Sequence, residues 1–340
     1  MIRRRRHTLL RRLGLGLASK ALYADLALEL RERTGLDIEY ETGGDLHCFL
    51  DEGDEAVGRA ACAWQREAGL KAELLSRADA LALEPDLSPE VRGALLLPED
   101  HWVNNPRLVT ALATAAALER VRFVTGEATA LVRAGGRVTG VQVGEDQIRA
   151  AVVVLAAGAW SGQLAATAEL LLPVGPVRGQ IVCLEGIPRR HHHLLHVKDH
   201  YLVPRVNGEI LIGASVEWVG FAKQVTAEYV RSALDAAIRL APGLGRLPIK
   251  ATWAGFRPWA PDELPVIGPW PGLEGLVVDW PFQERDPSRS HHRPPGERAC
   301  RGPPAFPGPD RVPARPISHV DLVPPPLDPS PIMAILMAII

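Results

Sequence analysis

Cysteine is scarce, 4 in 340 residues. Cys48, Cys62, Cys183 and Cys300 lie far apart and form no CxxC pair. This argues against a disulfide framework or a zinc site, so no metal is expected, and it points to a reducing compartment, the cytoplasm. A surplus of charge is also missing. The net charge of −2 gives neither nucleic acid nor an anionic membrane a reason to bind. No apolar run is long enough to span a membrane. PIMAILMAII at the C-terminus is about half the length a bilayer requires. The basic start, MIRRRRHTLLRRLGLGLASK, has its apolar part broken by Arg11, Arg12, Ser19 and Lys20 and shows no small-residue cleavage site. It reads as an amphipathic helix or a misplaced start rather than a targeting segment. No GxGxxG turn occurs before Gly158, and the glycines of LGLGLASK follow no strand.

What is present is the composition of a soluble globular protein, 47% hydrophobic and 23% charged. The length suits one large two-part domain or two ordinary ones. Apolar spacing predicts helices over 14–34, 55–67, 77–83, 106–119 and 226–240, the fourth with proline in its first turn. Strands are expected over 93–98, 121–124, 127–133 and 137–143, with alternation over 36–49 around Gly43-Gly44. AAVVVLAA, residues 150–157, is continuously apolar and ends at Gly158, which suggests a buried parallel strand in a layered α/β sheet. Residues 174–218 are β-rich, and Asn207-Gly208 marks a hairpin. The last convincing elements lie at 253–258 and 273–278. No internal repeat is seen.

Four segments carry the chemistry. VVVLAAGAWS (152–161) runs a buried strand into small residues and a helix start, where free N–H groups can meet phosphate or flavin oxygens. GPVRGQ (175–180) sets an arginine between glycines, as for a strand passing close to a flat ring. HYLVPRVNGEILIGASVEW (200–218) begins a hairpin with Tyr201, which suits either a pocket wall or half-buried packing. TWAGFRPWAPDELPVIGP (252–269) holds Arg257 in an aromatic and proline context, where a guanidinium can clamp a carboxylate with two parallel hydrogen bonds. The triplet His191-His192-His193 is a poor metal site, because consecutive extended residues face opposite ways.

In this order, the four segments resemble the D-amino-acid-oxidase-type FAD flavoenzymes, nearest to the bacterial glycine oxidases of thiamine biosynthesis. LGLASKALYADLALELRERTGLDIEY and VNNPRLVTAL add to the likeness, which covers roughly residues 13–278. The resemblance implies a mixed α/β fold in which an incomplete Rossmann-like FAD-binding domain is interleaved with an antiparallel-sheet substrate domain. The implied division is a basic start at 1–12, substrate-domain parts at 13–99 and 166–250, FAD-domain parts at 100–165 and 251–278, and a tail at 279–340. Arg257 would bind the substrate carboxylate and Tyr201 would line its pocket. Leu131 would meet FAD through its backbone, and Ala156, Ala157, Gly158 and Trp160 would lie along the cofactor. The implied reaction takes a small amino acid or amine and molecular oxygen to an imine, then an oxo acid, and hydrogen peroxide, with positioning rather than a side-chain base driving hydride transfer. No nucleic acid or membrane partner is implied, and a homo-oligomer is left open. The rival readings are a sarcosine or D-amino-acid oxidoreductase of the same fold, an inactive remnant, and an interaction protein using the proline-rich tail.

Two departures qualify the resemblance. The strand–GxGxxG–helix unit that holds the ADP half of FAD is not seen. After Val278 the composition shifts, and half of the 30 prolines fall in the last 62 residues. Back-translated and read one base later, DWPFQERDP can encode TGHFRNGI, the kind of sequence the resemblance leads one to expect. The stretch from Asp279 is therefore expected to be a frameshift product that does not fold, leaving a poorly soluble chain with weak or no FAD binding.

Overall fold

The computed structural model describes residues 2–280 except 187 and 262–264, with side chains from residue 13 to 279. The expected tail therefore lies outside the described residues from 281 on, while Asp279 and Trp280, expected to belong to it, pair with Ile267 and Val266 as the end of a strand. In chain order the elements are α1 (Ile2–Thr34), β1 (Asp45–Phe49), α2 (Glu52–Glu67), β2 (Glu73–Ser76), α3 (Arg77–Leu83), β3 (Gly93–Leu97), α4 (Asn105–Leu118), β4 (Ala128–Ala134), β5 (Arg137–Val143), β6 (Asp146–Arg149) and β7 (Val153–Leu155). They continue with α5 (Ser161–Thr167), β8 (Gly175–Glu185), β9 (Leu194–Val197), β10 (His200–Pro204), β11 (Glu209–Gly213), α6 (Ala227–Leu240), β12 (Ile249–Trp259), β13 (Val266–Pro269) and β14 (Leu276–Trp280).

Helix starts follow side-chain chemistry. Ser76 and Asp79 close a capping box on α3, and Asn104 and Thr226 cap α4 and α6. Helix α1 begins earlier than expected. Gly14 and Gly16 stand inside it, because the arginines and leucines around them are strong helix formers that outweigh two glycines at about 1 kcal/mol each.

The largest layer is an eight-stranded sheet in the order β12-β8-β11-β10-β9-β1-β3-β2. Its pairs are antiparallel except β1 with β9. One face holds Leu46, Cys48, Val182, Leu184, Leu195, Val197, Leu202 and Ile212, buried against Tyr229, Ala233, Ala237 and Leu240 of α6. The Asn207-Gly208 hairpin forms as expected. Gly208 takes φ +87, the Arg205 N–H donates to the Glu209 carbonyl at 2.7 Å, and Tyr201 falls opposite Gly213.

Two smaller sheets, β13-β14-β7 and β4-β5-β6, share a second core with α5 through Leu131, Val138, Leu155, Ala165 and Leu276. β7 is parallel to β14, as the apolar run suggested, but only Val153–Leu155 pairs and Val152 is exposed. The strand expected at 121–124 does not form. Val121, Phe123 and Val124 are exposed, and no neighbouring strand takes up their backbone groups among the described residues. β7 is likewise an edge strand among the described residues. No helix of the described residues is long and apolar enough to cross a membrane.

A buried acid ties the approach to β9 down. Glu84, fully buried after α3, accepts the backbone N–H groups of His192 and His193 at 2.8 and 2.9 Å. It also pairs with His193 Nδ1 at 2.7 Å and His191 Nδ1 at 3.0 Å. The histidine triplet thus serves as a structural clamp, with His192 exposed. Burial pushes the Glu84 carboxyl up, but the hydrogen bonds from His191, His193 and the two backbone N–H groups outweigh it and hold it down at about 2. Its stabilisation is therefore complete above the ordinary glutamate value and is lost as pH falls towards 2. We predict that Glu84→Gln lowers unfolding free energy by about 3 kcal/mol at neutral pH. Denaturant titrations should show the gap from the parent chain closing on acidification below pH about 4.

Candidate active site

Strand alternation decides what lies opposite the core. Across the large sheet, His47 pairs with His196, His196 with Tyr201, and Tyr201 with Gly213. Trp253 pairs with Ile181, and Arg257 lies four residues further along β12. These residues share the face away from α6. The sheet is therefore apolar on its α6 side; the other face is apolar at its β1–β3 end, where Phe49, Leu95 and Leu97 pack with Cys62 of α2, and carries the histidines, Tyr201 and Arg257 elsewhere.

Two glycines on adjacent strands shape the centre of this face. A Cβ on Gly179 of β8 would stand 2.7 Å from the guanidinium carbon of Arg257. A Cβ on Gly213 of β11 would stand 2.5 to 2.6 Å from the Tyr201 ring and hydroxyl. Arg257 thus leans from β12 over β8, and Tyr201 leans from β10 over β11. Ile212 faces Val182, and this register carried forward puts Gly213 beside Ile181, diagonal to Gly179. Diagonal neighbours lie about 7–8 Å apart, so the guanidinium and the phenol converge over a gap of small-molecule size. Arg257 Nη1 donates to the Ser215 carbonyl at 2.7 Å, which fixes the guanidinium.

The GPVRGQ arginine has a different place. Arg178 is buried, its Nε donating to Glu217 Oε2 at 2.8 Å. Gln180 donates to Glu217 Oε1 at 2.6 Å and accepts from the Thr226 N–H, the α6 cap, at 2.7 Å. Burial pushes the Glu217 carboxyl up, and bonds from Ser215, Arg178 and Gln180 bring it below its ordinary value. This network seats α6 on the sheet.

The AAGAWS segment meets the sheet at its β12 edge. Ala156 is buried, Ala157 and Gly158 are half-buried, and Gly158 takes φ +52, a left-handed conformation that suits glycine. Trp160 is 42% exposed and packs on Phe221 and Phe256, with ring centroids 5.3 and 5.8 Å away. Ser161 opens α5 with its hydroxyl buried and without a hydrogen-bond partner. Leu131 lies behind this turn, its side chain in the core and its N–H donating to Thr167 Oγ1 at 3.0 Å.

Sequence reading missed a further group on the same face. The Nε2 atoms of His47 and His196 each lie 3.2 Å from Asp45 Oδ2. Burial pushes the Asp45 carboxyl up, but the charges of His196 and His47 outweigh it and keep the group below the usual carboxylate range. The DLH alternation in β1 was the signal for two of the three. His196 becomes their neighbour only through the parallel β1–β9 pairing.

Residues 3–279 match the DAO family, described as FAD dependent oxidoreductase. The chain belongs to this family. It is 36% identical over 266 residues to the hydrogen cyanide synthase subunit HcnC of Pseudomonas aeruginosa, covering 77% of this chain and 64% of that protein. It is 38% identical over 264 residues to the glycine oxidase of Pseudomonas putida, covering 77% and 71%. The crystal structure of glycine oxidase from Geobacillus kaustophilus superposes with a TM-score of 0.73 at 32% identity, over 78% of this chain and 72% of that one. The chain thus spans about two thirds of the length of these relatives.

The family's cofactor is FAD, and the residues present fit one end of it. The left-handed turn at Gly158, the exposed Trp160 and the orphaned Ser161 hydroxyl suit a flat, polar-edged ring system at the strand end. A glycine-rich pyrophosphate turn is not seen among the described residues, where Gly14 and Gly16 are helical. The Ser161 hydroxyl is a specific test. Without a ligand, Ser161→Ala removes an unsatisfied buried group and should raise unfolding free energy by about 1 kcal/mol. With FAD present it should weaken flavin binding, read from the flavin absorbance of the dialysed protein.

Proposed function

We infer that the chain is organised for FAD-dependent oxidation of glycine or another small amino acid or amine to an imine. The imine then hydrolyses to an oxo acid, and oxygen is reduced to hydrogen peroxide. The observation that carries this reading is the convergence of Arg257 and Tyr201 over Gly179 and Gly213. Likeness to glycine oxidases and to HcnC adds support.

The geometry supports the following roles. The Arg257 guanidinium, steadied by the Ser215 carbonyl, offers a planar pair of donors to a carboxylate. Tyr201 closes the opposite side of the gap and limits the length of the substrate side chain. Gly158, Trp160, Ala156 and Ala157 would border the flavin, with Leu131 supporting the turn from behind. Bound FAD would supply the hydride acceptor. A small substrate held by its carboxylate needs only to present its amine-bearing carbon, and fixed orientation is itself a large part of the rate.

The test is spectroscopic and then kinetic. Full-length protein with added FAD should retain a flavin absorbance band and release peroxide with glycine, sarcosine or a small D-amino acid from a substrate panel. Arg257→Met should lower kcat/KM by about 10–100-fold, mainly through KM, because a charge-assisted bidentate contact is lost. A chain that folds by circular dichroism yet holds no flavin would refute an oxidase role for this polypeptide and favour a non-catalytic remnant.

A further inference from the structure

We propose that Asp45, His47 and His196 form a divalent transition-metal site of the zinc type, separate from the carboxylate-binding arginine. Asp45 and His47 lie two residues apart on β1 and so project from the same face. His196 stands opposite His47 in the parallel β1–β9 pair. The three ligand atoms lie within 4.8 Å of one another.

The distances suit an ion. Four-coordinate zinc with bonds of about 2.0–2.1 Å sets its ligand atoms about 3.3 Å apart. Both imidazole Nε2 atoms are 3.2 Å from the same carboxylate oxygen. The second carboxylate oxygen, Asp45 Oδ1, is buried and has no hydrogen-bond partner, in a residue only 8% exposed. The two imidazole rings are stacked 4.2 Å apart at 11°. Closing on an ion swings their Nε2 edges inward about χ2, a soft torsion in histidine.

The donor set selects the metal. Two imidazoles and one carboxylate suit zinc or a neighbouring transition metal, not calcium or magnesium, which favour oxygen ligands. Three protein ligands leave a fourth position open. The Tyr201 ring neighbours the cluster, with its centroid 5.9 Å from that of His196. Arg257 starts five strands away from β1, about 24 Å at the usual strand spacing. Metal binding can therefore be read without reference to oxidase activity. The histidine triplet is no competing site of the same kind, because His191 and His193 are already engaged by Glu84.

The experiment titrates chelator-treated, full-length protein with Zn2+ against a chromophoric competing chelator. One Zn2+ per chain is expected. His47→Gln and His196→Gln should each weaken binding by more than the about 10–100-fold typical of losing an outer-sphere partner. His192→Gln, at the exposed member of the triplet, should leave it unchanged. His47 is partly exposed, so its substitution spares the fold even if Asp45→Asn does not; circular dichroism checks this. Absence of stoichiometric binding, or equal binding by the His47→Gln/His196→Gln double variant, overturns the assignment.

Discussion

The register of the eight-stranded sheet is the constraint on which everything else rests. Side chains alternate with a period of two, so a slip of one residue exchanges the two faces. Leu46, Leu195, Leu202, Ile212 and Val182 would then face outward, and His47, His196 and Tyr201 would be driven into α6. Burying a leucine side chain is worth about 1.5–3 kcal/mol, so slippage is resisted at every strand. The same alternation that builds the core therefore positions the site.

Buried charge holds the sheet's connections in place. Glu84 gathers the 191–193 segment before β9, and Arg178, Glu217 and Gln180 gather the cap of α6. Both nodes are hydrogen-bonded on several sides, as buried carboxylates must be. Neither is catalytic in the sense of touching the converging Arg257 and Tyr201. They act by holding β8 and β9, the strands that pair with β12 and β10 and so set where those two side chains begin. This is why the arginine of GPVRGQ is better understood as a support.

Much of the fold was legible in the sequence because local chemistry and tertiary structure agree there. Capped helices such as α3 and α6 and the Asn-Gly hairpin carry their signals within a few residues. The ordered motifs also carried the family. Legibility failed where an element depends on a partner: residues 121–124 are apolar and extended in pattern yet pair with no strand among the described residues, and the 150–157 run pairs over only three residues. Site legibility split the same way. Arg257 and Tyr201 sit in recognisable motifs, whereas the glycines that let them converge, and the meeting of His196 with Asp45 and His47, arise from pairings between distant strands that no local pattern reveals.

Unsatisfied polar atoms connect stability to ligand binding. Native proteins leave few buried polar groups unpaired, because each costs roughly 1–3 kcal/mol. Among the described residues, the buried side-chain atoms without a partner are Asp45 Oδ1, Ser161 Oγ and Trp102 Nε1. The first two border the proposed ion and the strand-end turn that suits a flavin. A fold that leaves such groups unpaired where ligands are argued to sit is less stable alone than its core implies. Each ligand that satisfies one binds the folded chain and not the unfolded one, so its affinity is returned as folding free energy. The Asp45 cluster and the Gly158 turn are thus the regions where the unliganded protein has most stability to gain.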